Sequence, residues 1–313
     1  MFESREGAFR GGTPGVIEAA GPSALSDPPR WHRHSYNRAR LYRMAEGLAW
    51  IPRPGRLALA RRLGRLARRF LPVEQAAVRR TLEVTAGASG ARLDALTARV
   101  FQDFAMCFSD LVSTNRQPRA RLSAYVESVS GGDDVALLPG GLVSVTAHVG
   151  NWELAGRLLA GESARRTNVV VTAEEAPELE RWVRRNGDGM RFLPRSHPRI
   201  GVQLVSALRR GEVVALQGDR AIGTRGDVAI AFFGRPAFFP LGPFLLARAA
   251  GVPVVPAFCV LGAGHRYTVR LAPPIAVERG DEEGAARVWV GLLEDIVREH
   301  PTQWFNFFDV WAP

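Results

Sequence analysis

Apolar and polar positions follow two different grammars along this chain. Before residue 130 the apolar residues recur at helical spacing. Leu59, Leu63, Leu66 and Phe70 step by four, three and four, which lays one stripe along a helix. Arg61, Arg62, Arg65, Arg68 and Arg69 fall mostly off that stripe. Upstream, Leu41, Met44, Leu48 and Ile51 form a second stripe, closed by Pro52 and Pro54. Between 75 and 113, Val78, Leu82, Leu93, Leu96, Val100, Phe104, Phe108 and Leu111 carry an apolar helical face, broken from Thr85 to Gly90. After Gly131-Gly132 short β-branched runs take over: LVSVTA (142–147), NVVVT (168–172), EVVALQ (212–217), PVVPAF (253–258) and YTVRL (267–271). Helical patterns lie between them, near 153–160, 177–186, 198–210 and 241–250, and a last amphipathic helix covers 284–300 before Pro301. This alternation predicts an α/β fold with a mostly parallel central sheet flanked by helices, preceded by an N-terminal helical region.

The organisation expected is therefore threefold. Residues 1–30, rich in Gly, Pro and Ser without an apolar period, read as a disordered tail. Residues 31–130 are expected to form a basic helical, membrane-facing region, and 131–313 an α/β core expected to make one unit with it. No uninterrupted apolar run follows Met1, so no signal peptide is read.

Charge sharpens the picture of the helical region. The 313 residues carry a formal charge of +10, and every basic residue is arginine. Lysine is absent, which reflects compositional bias more than chemistry. Residues 30–80 hold fourteen Arg against two Glu, so the remainder of the chain is slightly acidic. Such a segment suits an anionic partner: a lipid surface, a nucleic acid or an acidic protein. Neither N-terminal stripe can span a bilayer, which needs roughly 20 mostly apolar residues. Both can lie in the interface with arginines reaching phosphates, or pack on the domain core as ordinary surface helices. Only Cys107 and Cys259 are present, which argues against a disulfide scaffold and against a cysteine zinc site. No metal is expected. No RNA-recognition signature accompanies the arginines, so no nucleic acid is expected either.

One stretch carries candidate chemistry. In Val145-Thr-Ala-His148-Val-Gly150-Asn151-Trp-Glu153 a buried strand ends, a histidine follows, and a helix begins with Asn151 as a possible N-cap. Ligands bind at such strand ends in α/β sheets. His148 can serve as a general base near neutral pH, and Glu153 can hold its other ring nitrogen. On one continuous helix, five residues would place the two side chains about 140° apart. They pair only if 148–150 turn before the helix starts, which Gly150 permits. The alternative is a loop histidine beside a glutamate that serves the helix dipole. N–H groups around Gly150 and Asn151 are candidates for holding an oxyanion.

These residues also carry a resemblance. AHVGNWELAG resembles the HxxxxD/E signature of glycerolipid acyltransferases, and more narrowly the late lipid A biosynthesis acyltransferase family with its mycobacterial phosphatidylinositol-mannoside branch. VRRTLE (78–83), LQGDRAIGTRG (216–226), FFGRPAFFPLGPFLLARAAGVPVVPAF (232–258) and the closing HPTQWFNFFDVW resemble further blocks of that family, in order, over about residues 40–313. The resemblance implies transfer of a fatty or polyene acyl chain to a hydroxyl or amine of a lipid or glycolipid acceptor. The donor is an acyl-carrier-protein or CoA thioester as co-substrate, with no other cofactor. It implies His148 as base and Glu153 as its orienting carboxylate. It places Gly150, Asn151, Asp219, Arg220, Phe233, Gly234 and Gly242 at the substrate. Asp219 and Arg220 follow a strand, and an ion pair at the sheet edge is the other reading of them. The phenylalanines around Gly234 read as core or as an acyl groove. Arg184, Arg185 and Arg195 lie where the family places arginines near phosphates. The implied location is the cytoplasmic face of the bacterial inner membrane, peripherally bound. The ending QWFNFFDVW differs from the basic-aromatic tail of lipid A enzymes and resembles variants from specialised lipid pathways. A competing reading is a non-catalytic protein that binds anionic membranes or nucleic acid through residues 30–80. A serine hydrolase is disfavoured because GxSxG is missing.

Overall fold

The computed structural model describes residues 46–114, 117, 119–162, 165–171, 190–221, 223 and 226–311. The tail at 1–30, the first half of the upstream stripe and the helix expected at 177–186 lie outside those residues, as do Arg184 and Arg185.

The elements in chain order are helices α1 (Arg53–Ala67), α2 (Pro72–Thr85) and α3 (Gly90–Thr114), strand β1 (Val126–Ser130), a short α4 (Gly132–Ala136), β2 (Leu142–Thr146), α5 (Trp152–Glu162), β3 (Thr167–Val171), β4 (Met190–Pro194), α6 (Ile200–Arg209), β5 (Val213–Gln217), β6 (Asp227–Phe232), β7 (Arg235–Pro240), α7 (Gly242–Ala250), β8 (Val254–Leu261), β9 (Tyr267–Leu271) and α8 (Glu282–Glu299). Seven strands form one sheet in the order β1-β9-β8-β2-β5-β3-β4. All neighbours run parallel except β8 and β9, which are antiparallel. The α/β fold with a mostly parallel sheet is the one the alternating grammar predicts.

Both faces of the sheet are covered, which is why its central strands are apolar throughout rather than alternating. Every residue of β8 is buried. One core joins β2, β5 and β8 to α6, α7 and α8 through Val143, Val145, Leu208, Phe244, Trp289 and Leu293. The second joins the opposite face to α1, α3 and α5 through Leu57, Phe101, Met106, Leu154, Leu158 and Tyr267. The N-terminal helices thus share a core with the sheet. The organisational boundary at 130/131 cuts across it, because β1 pairs with β9 inside the sheet.

The structure decides between alternatives at two local patterns. The stripe of α1 does not face the core. Leu63, Leu66 and Phe70 are exposed at 48%, 47% and 75% of their surface. The packing face is instead small: a Cβ on Gly64 would lie 2.4 Å from the carbonyl oxygen of Phe101, so only glycine lets α1 approach α3 this closely. The phenylalanine cluster around Gly234 is a hairpin whose Phe232 and Phe239 are buried in the core, as the core reading has it, while Phe238 is exposed. Phe232 pairs with Arg235 across a two-residue turn. Phe233 and Gly234 take φ of 51° and 73° there, as such turns require.

Candidate active site

β2 and β5 are neighbours in parallel register, with Thr146 opposite Gln217. Each chain then runs two residues past its strand, so His148 and Asp219 emerge side by side at the carboxyl edge. The pairing is tight. His148 Nδ1 lies 2.8 Å from Asp219 Oδ1, and the His148 backbone N–H donates to Asp219 Oδ2 at 3.0 Å. Asp219 is 1% exposed, whereas the His148 side chain keeps 15% of its surface.

Electrostatics fix the protonation states. Burial alone would push the Asp219 carboxyl up; the imidazole of His148, the Arg220 guanidinium and the His148 backbone N–H outweigh it and hold the group well below the usual carboxylate range. The His148 imidazole is pulled below its ordinary value by burial and then by Arg220, with Asp219 opposing. Near neutral pH the pair is therefore an ionised carboxylate beside a neutral imidazole. Nδ1 carries the proton, donates it to Asp219, and leaves the Nε2 lone pair as a base.

The carboxylate that holds Nδ1 is thus Asp219, where the sequence pointed to Glu153. The turn required for a Glu153 pairing does exist: Gly150 has φ 57°. It sends the chain into α5, and Glu153, in the first turn, lines a cavity beneath that helix. The orienting role goes to a residue 71 positions away. Only knowledge of which strands are neighbours brings it into view. The available signal is that His148 and Asp219 each follow a β-branched run within two residues.

Gly150 and Asn151 serve the backbone. The Gly150 N–H donates to the Gln303 carbonyl at 2.9 Å and that of Asn151 to Cys259 at 3.2 Å. Neither is available to an oxyanion. A Cβ on Gly150 would sit 1.9 Å from the Cys259 oxygen, so the glycine is required by close approach of two chains. Asn151, 3% exposed, caps α5 by accepting the Leu154 N–H at 3.3 Å. Its amide donates to the Cys107 carbonyl at 3.2 Å. Phe233 and Gly234 occupy the hairpin turn, where the Phe233 N–H donates to Glu294. Gly242 is the exposed first residue of α7. Arg220 leans on the C-terminal segment, donating to the Phe305 carbonyl at 3.0 Å and to Asn306 Oδ1 at 3.3 Å. Arg195 follows β4, its N–H bonded to the Val171 carbonyl. Both cysteines are buried, and burial pushes the Cys259 thiol up to about 12. A nucleophilic thiolate at either position is disfavoured. Among the described residues no cluster suited to a metal ion occurs.

The C-terminal segment was missed as part of the site. Trp304 Nε1–H donates to Asp219 Oδ2 at 2.9 Å, and the Phe305 N–H donates to the His148 carbonyl at 2.8 Å. Sequence reading had noted only its aromatic character.

Beside the pair lies a mostly apolar cavity between α5 and the sheet. It reaches from Thr146, Gln217 and Trp152 near His148 toward Val169, Met190 and Phe192. The Trp152 ring stands edge-on to the imidazole at 6.5 Å.

A doubly covered, mostly parallel sheet with a histidine–aspartate pair at its carboxyl edge defines an α/β protein with a candidate proton-transfer site at a strand end. The profile of the bacterial lipid A biosynthesis acyltransferases matches residues 42–312, and the chain belongs to that family. Among curated relatives it is 29% identical over 199 residues to a phosphatidylinositol mannoside acyltransferase of Mycobacterium tuberculosis, covering 61% of this chain and 62% of that protein. The counterpart in Mycolicibacterium smegmatis is 26% identical over 175 residues, covering 55% of this chain and 57% of that protein. The chain therefore spans less than two thirds of the length of the relatives it matches. A crystal structure of a 1-acyl-sn-glycerophosphate acyltransferase from Thermotoga maritima superposes with a TM-score of 0.38 at 14% identity, covering 76% of this chain and 97% of that one.

Proposed function

We propose that this protein is a membrane-associated acyltransferase that moves a fatty or polyene acyl chain from an acyl-carrier-protein or CoA thioester to a hydroxyl or amine of a lipid or glycolipid acceptor. The observation that carries the reading is the buried Asp219 holding His148 at the carboxyl edge of the sheet, two residues beyond Thr146 and Gln217, which line a mostly apolar cavity. Family membership and the mannoside acyltransferase relatives support the acyl chemistry and a glycolipid-like acceptor.

In this mechanism His148 Nε2 takes the acceptor's O–H or N–H proton while the acceptor atom attacks the thioester carbonyl. The tetrahedral intermediate collapses, the C–S bond breaks, and the imidazolium returns its proton to the thiolate. Asp219 holds the ring and stabilises the imidazolium. The cavity under α5, about 70 Å³, would take only a short stretch of the acyl chain. Glu153 keeps a place in the proposal as a carboxylate on that cavity's wall, and Arg220 as the cation that keeps His148 neutral.

Membrane docking falls to the exposed side of α1 and α2. Trp50, Phe70 and Val73 are exposed at 92%, 75% and 72%, and Arg61, Arg62, Arg65 and Arg69 lie on the exposed surface of the same segment. Apolar insertion flanked by cations fits an anionic surface such as the cytoplasmic leaflet. Among the described residues no helix is long and apolar enough to cross a membrane. His148→Ala, assayed for thioester consumption with the purified protein on acceptor-bearing vesicles, is the direct test. Loss of turnover with an unchanged melting curve is expected, and full turnover would overturn the mechanism.

A further inference from the structure

A buried carboxylate stays ionised only if donors replace the water it lost. Asp219 has three within hydrogen-bond reach. Oδ1 faces the His148 ring, while Oδ2 accepts from the His148 backbone at 3.0 Å and from the Trp304 indole at 2.9 Å. The indole is itself fixed. Trp304 is 2% exposed, pairs with Val149 in an antiparallel bridge, and stands edge-to-face against Phe232 at 5.3 Å. The residues on either side of it, Gln303 and Phe305, bond to Gly150 and His148. The C-terminal segment thus grips the loop of the base with its backbone and the carboxylate with one side chain.

We propose that Trp304 is a positioning residue that sets the basicity of His148 through Asp219. The indole N–H draws charge toward Oδ2 and away from the imidazole. Remove that donor and the carboxylate's charge concentrates where it faces the ring, the imidazolium gains stability, and the His148 pKa rises. The ring also loses one constraint on its orientation. Trp304 lies behind the carboxylate, so substrate affinity is not its concern.

The charged and titratable groups around the pair define what else moves the same pKa. Arg220 opposes imidazole protonation. Glu153 stands on the first turn of α5. Behind the loop, Cys107, Cys259 and Tyr267 are each held protonated by burial. The Trp304→Phe change alters none of these charges.

The kinetic arm of the test rests on the acyl-transfer reading; the spectroscopic arm does not. In Trp304→Phe the acid limb of kcat/KM moves to higher pH, kcat falls about tenfold as for a lost hydrogen bond to a charged group, and KM stays put. NMR titration of the His148 ring, assigned with His148→Ala, shows its pKa raised in the same variant. Phe232→Leu, which loosens the indole's packing but spares its N–H, leaves the acid limb in place. An unmoved His148 pKa in Trp304→Phe, or an equal shift in Phe232→Leu, overturns the proposal. Should Trp304→Phe fail to fold, the wild-type protein still answers: the Trp304 indole N–H resonance must follow the His148 titration, and a pH-independent resonance overturns the idea. Asp219→Asn separates the two levels. If that variant turns over normally, the acyl-transfer mechanism is what fails.

Discussion

Asp110 and Asp219 are both almost wholly removed from solvent, yet their partners differ in kind. Asp110, on α3, accepts from Arg53 at 2.8 and 3.1 Å, from Arg56 at 2.9 Å and from the Tyr267 hydroxyl at 3.1 Å. Two of these donors are driven further from titration: burial pulls Arg53 down but Asp110 outweighs it and raises the group, and burial pushes Tyr267 well up. That cluster ties α1, α3 and β9 together and has no proton to exchange. Asp219 is paired instead with an imidazole pulled below its ordinary value by burial and Arg220, which keeps part of its surface at the strand edge.

Substitutions should separate the two. His148→Ala is expected to lower turnover by roughly 10²–10⁴-fold and leave the thermal midpoint almost unchanged, measured by thioester consumption beside a melting curve. Asp110→Ala should do the reverse. It strands Arg56, itself buried, and should cost about 3–5 kcal/mol in denaturant unfolding, while molecules that remain folded keep their activity. Gly150→Ala joins the categories, because its left-handed φ and the 1.9 Å approach to Cys259 admit no methyl. Stability and turnover should fall together, by at least about 1–3 kcal/mol for the strain alone.

The pH dependence sharpens the contrast further. His148 is depressed below its ordinary 6.5 by burial and Arg220, so the acid limb of the rate should fall below that value. The neutral base is present above the lowered pKa and lost as pH drops through it. Stability carries the same sign: the unfolded imidazole binds a proton first, so this contribution fades as pH falls below 6.5. The smallest effect on stability is expected at the surface. Leu66→Glu with Phe70→Glu should shift unfolding by less than about 0.5 kcal/mol per site but reduce sedimentation with anionic vesicles.

Much of the sheet was legible because parallel strands covered on both faces read as β-branched runs. YTVRL is β9 residue for residue, and EVVALQ contains β5. β4 and the β6–β7 hairpin were not read. β4 sits at the sheet edge and ends in Pro194. The hairpin hides its turn in Phe233, a residue type that rarely takes positive φ. His148 stood out locally, since a strand end, a histidine and a glycine are adjacent in sequence. Its partner did not, because the adjacency of β2 and β5 is a property of strand order rather than of spacing. Trp304 was harder still, reaching the pair from 85 residues beyond Asp219. The stripe of α1 carried the opposite lesson. Leu63 and Leu66 have the period of a core face, yet Gly64 marks the side that packs.

The most direct measurement is kcat/KM of Asp219→Asn across pH, on protein whose melting curve matches the wild type. An asparagine cannot hold the Nδ1–H tautomer or balance the imidazolium. The account predicts a loss of at least about 100-fold at every pH. Wild-type turnover from that variant would contradict it.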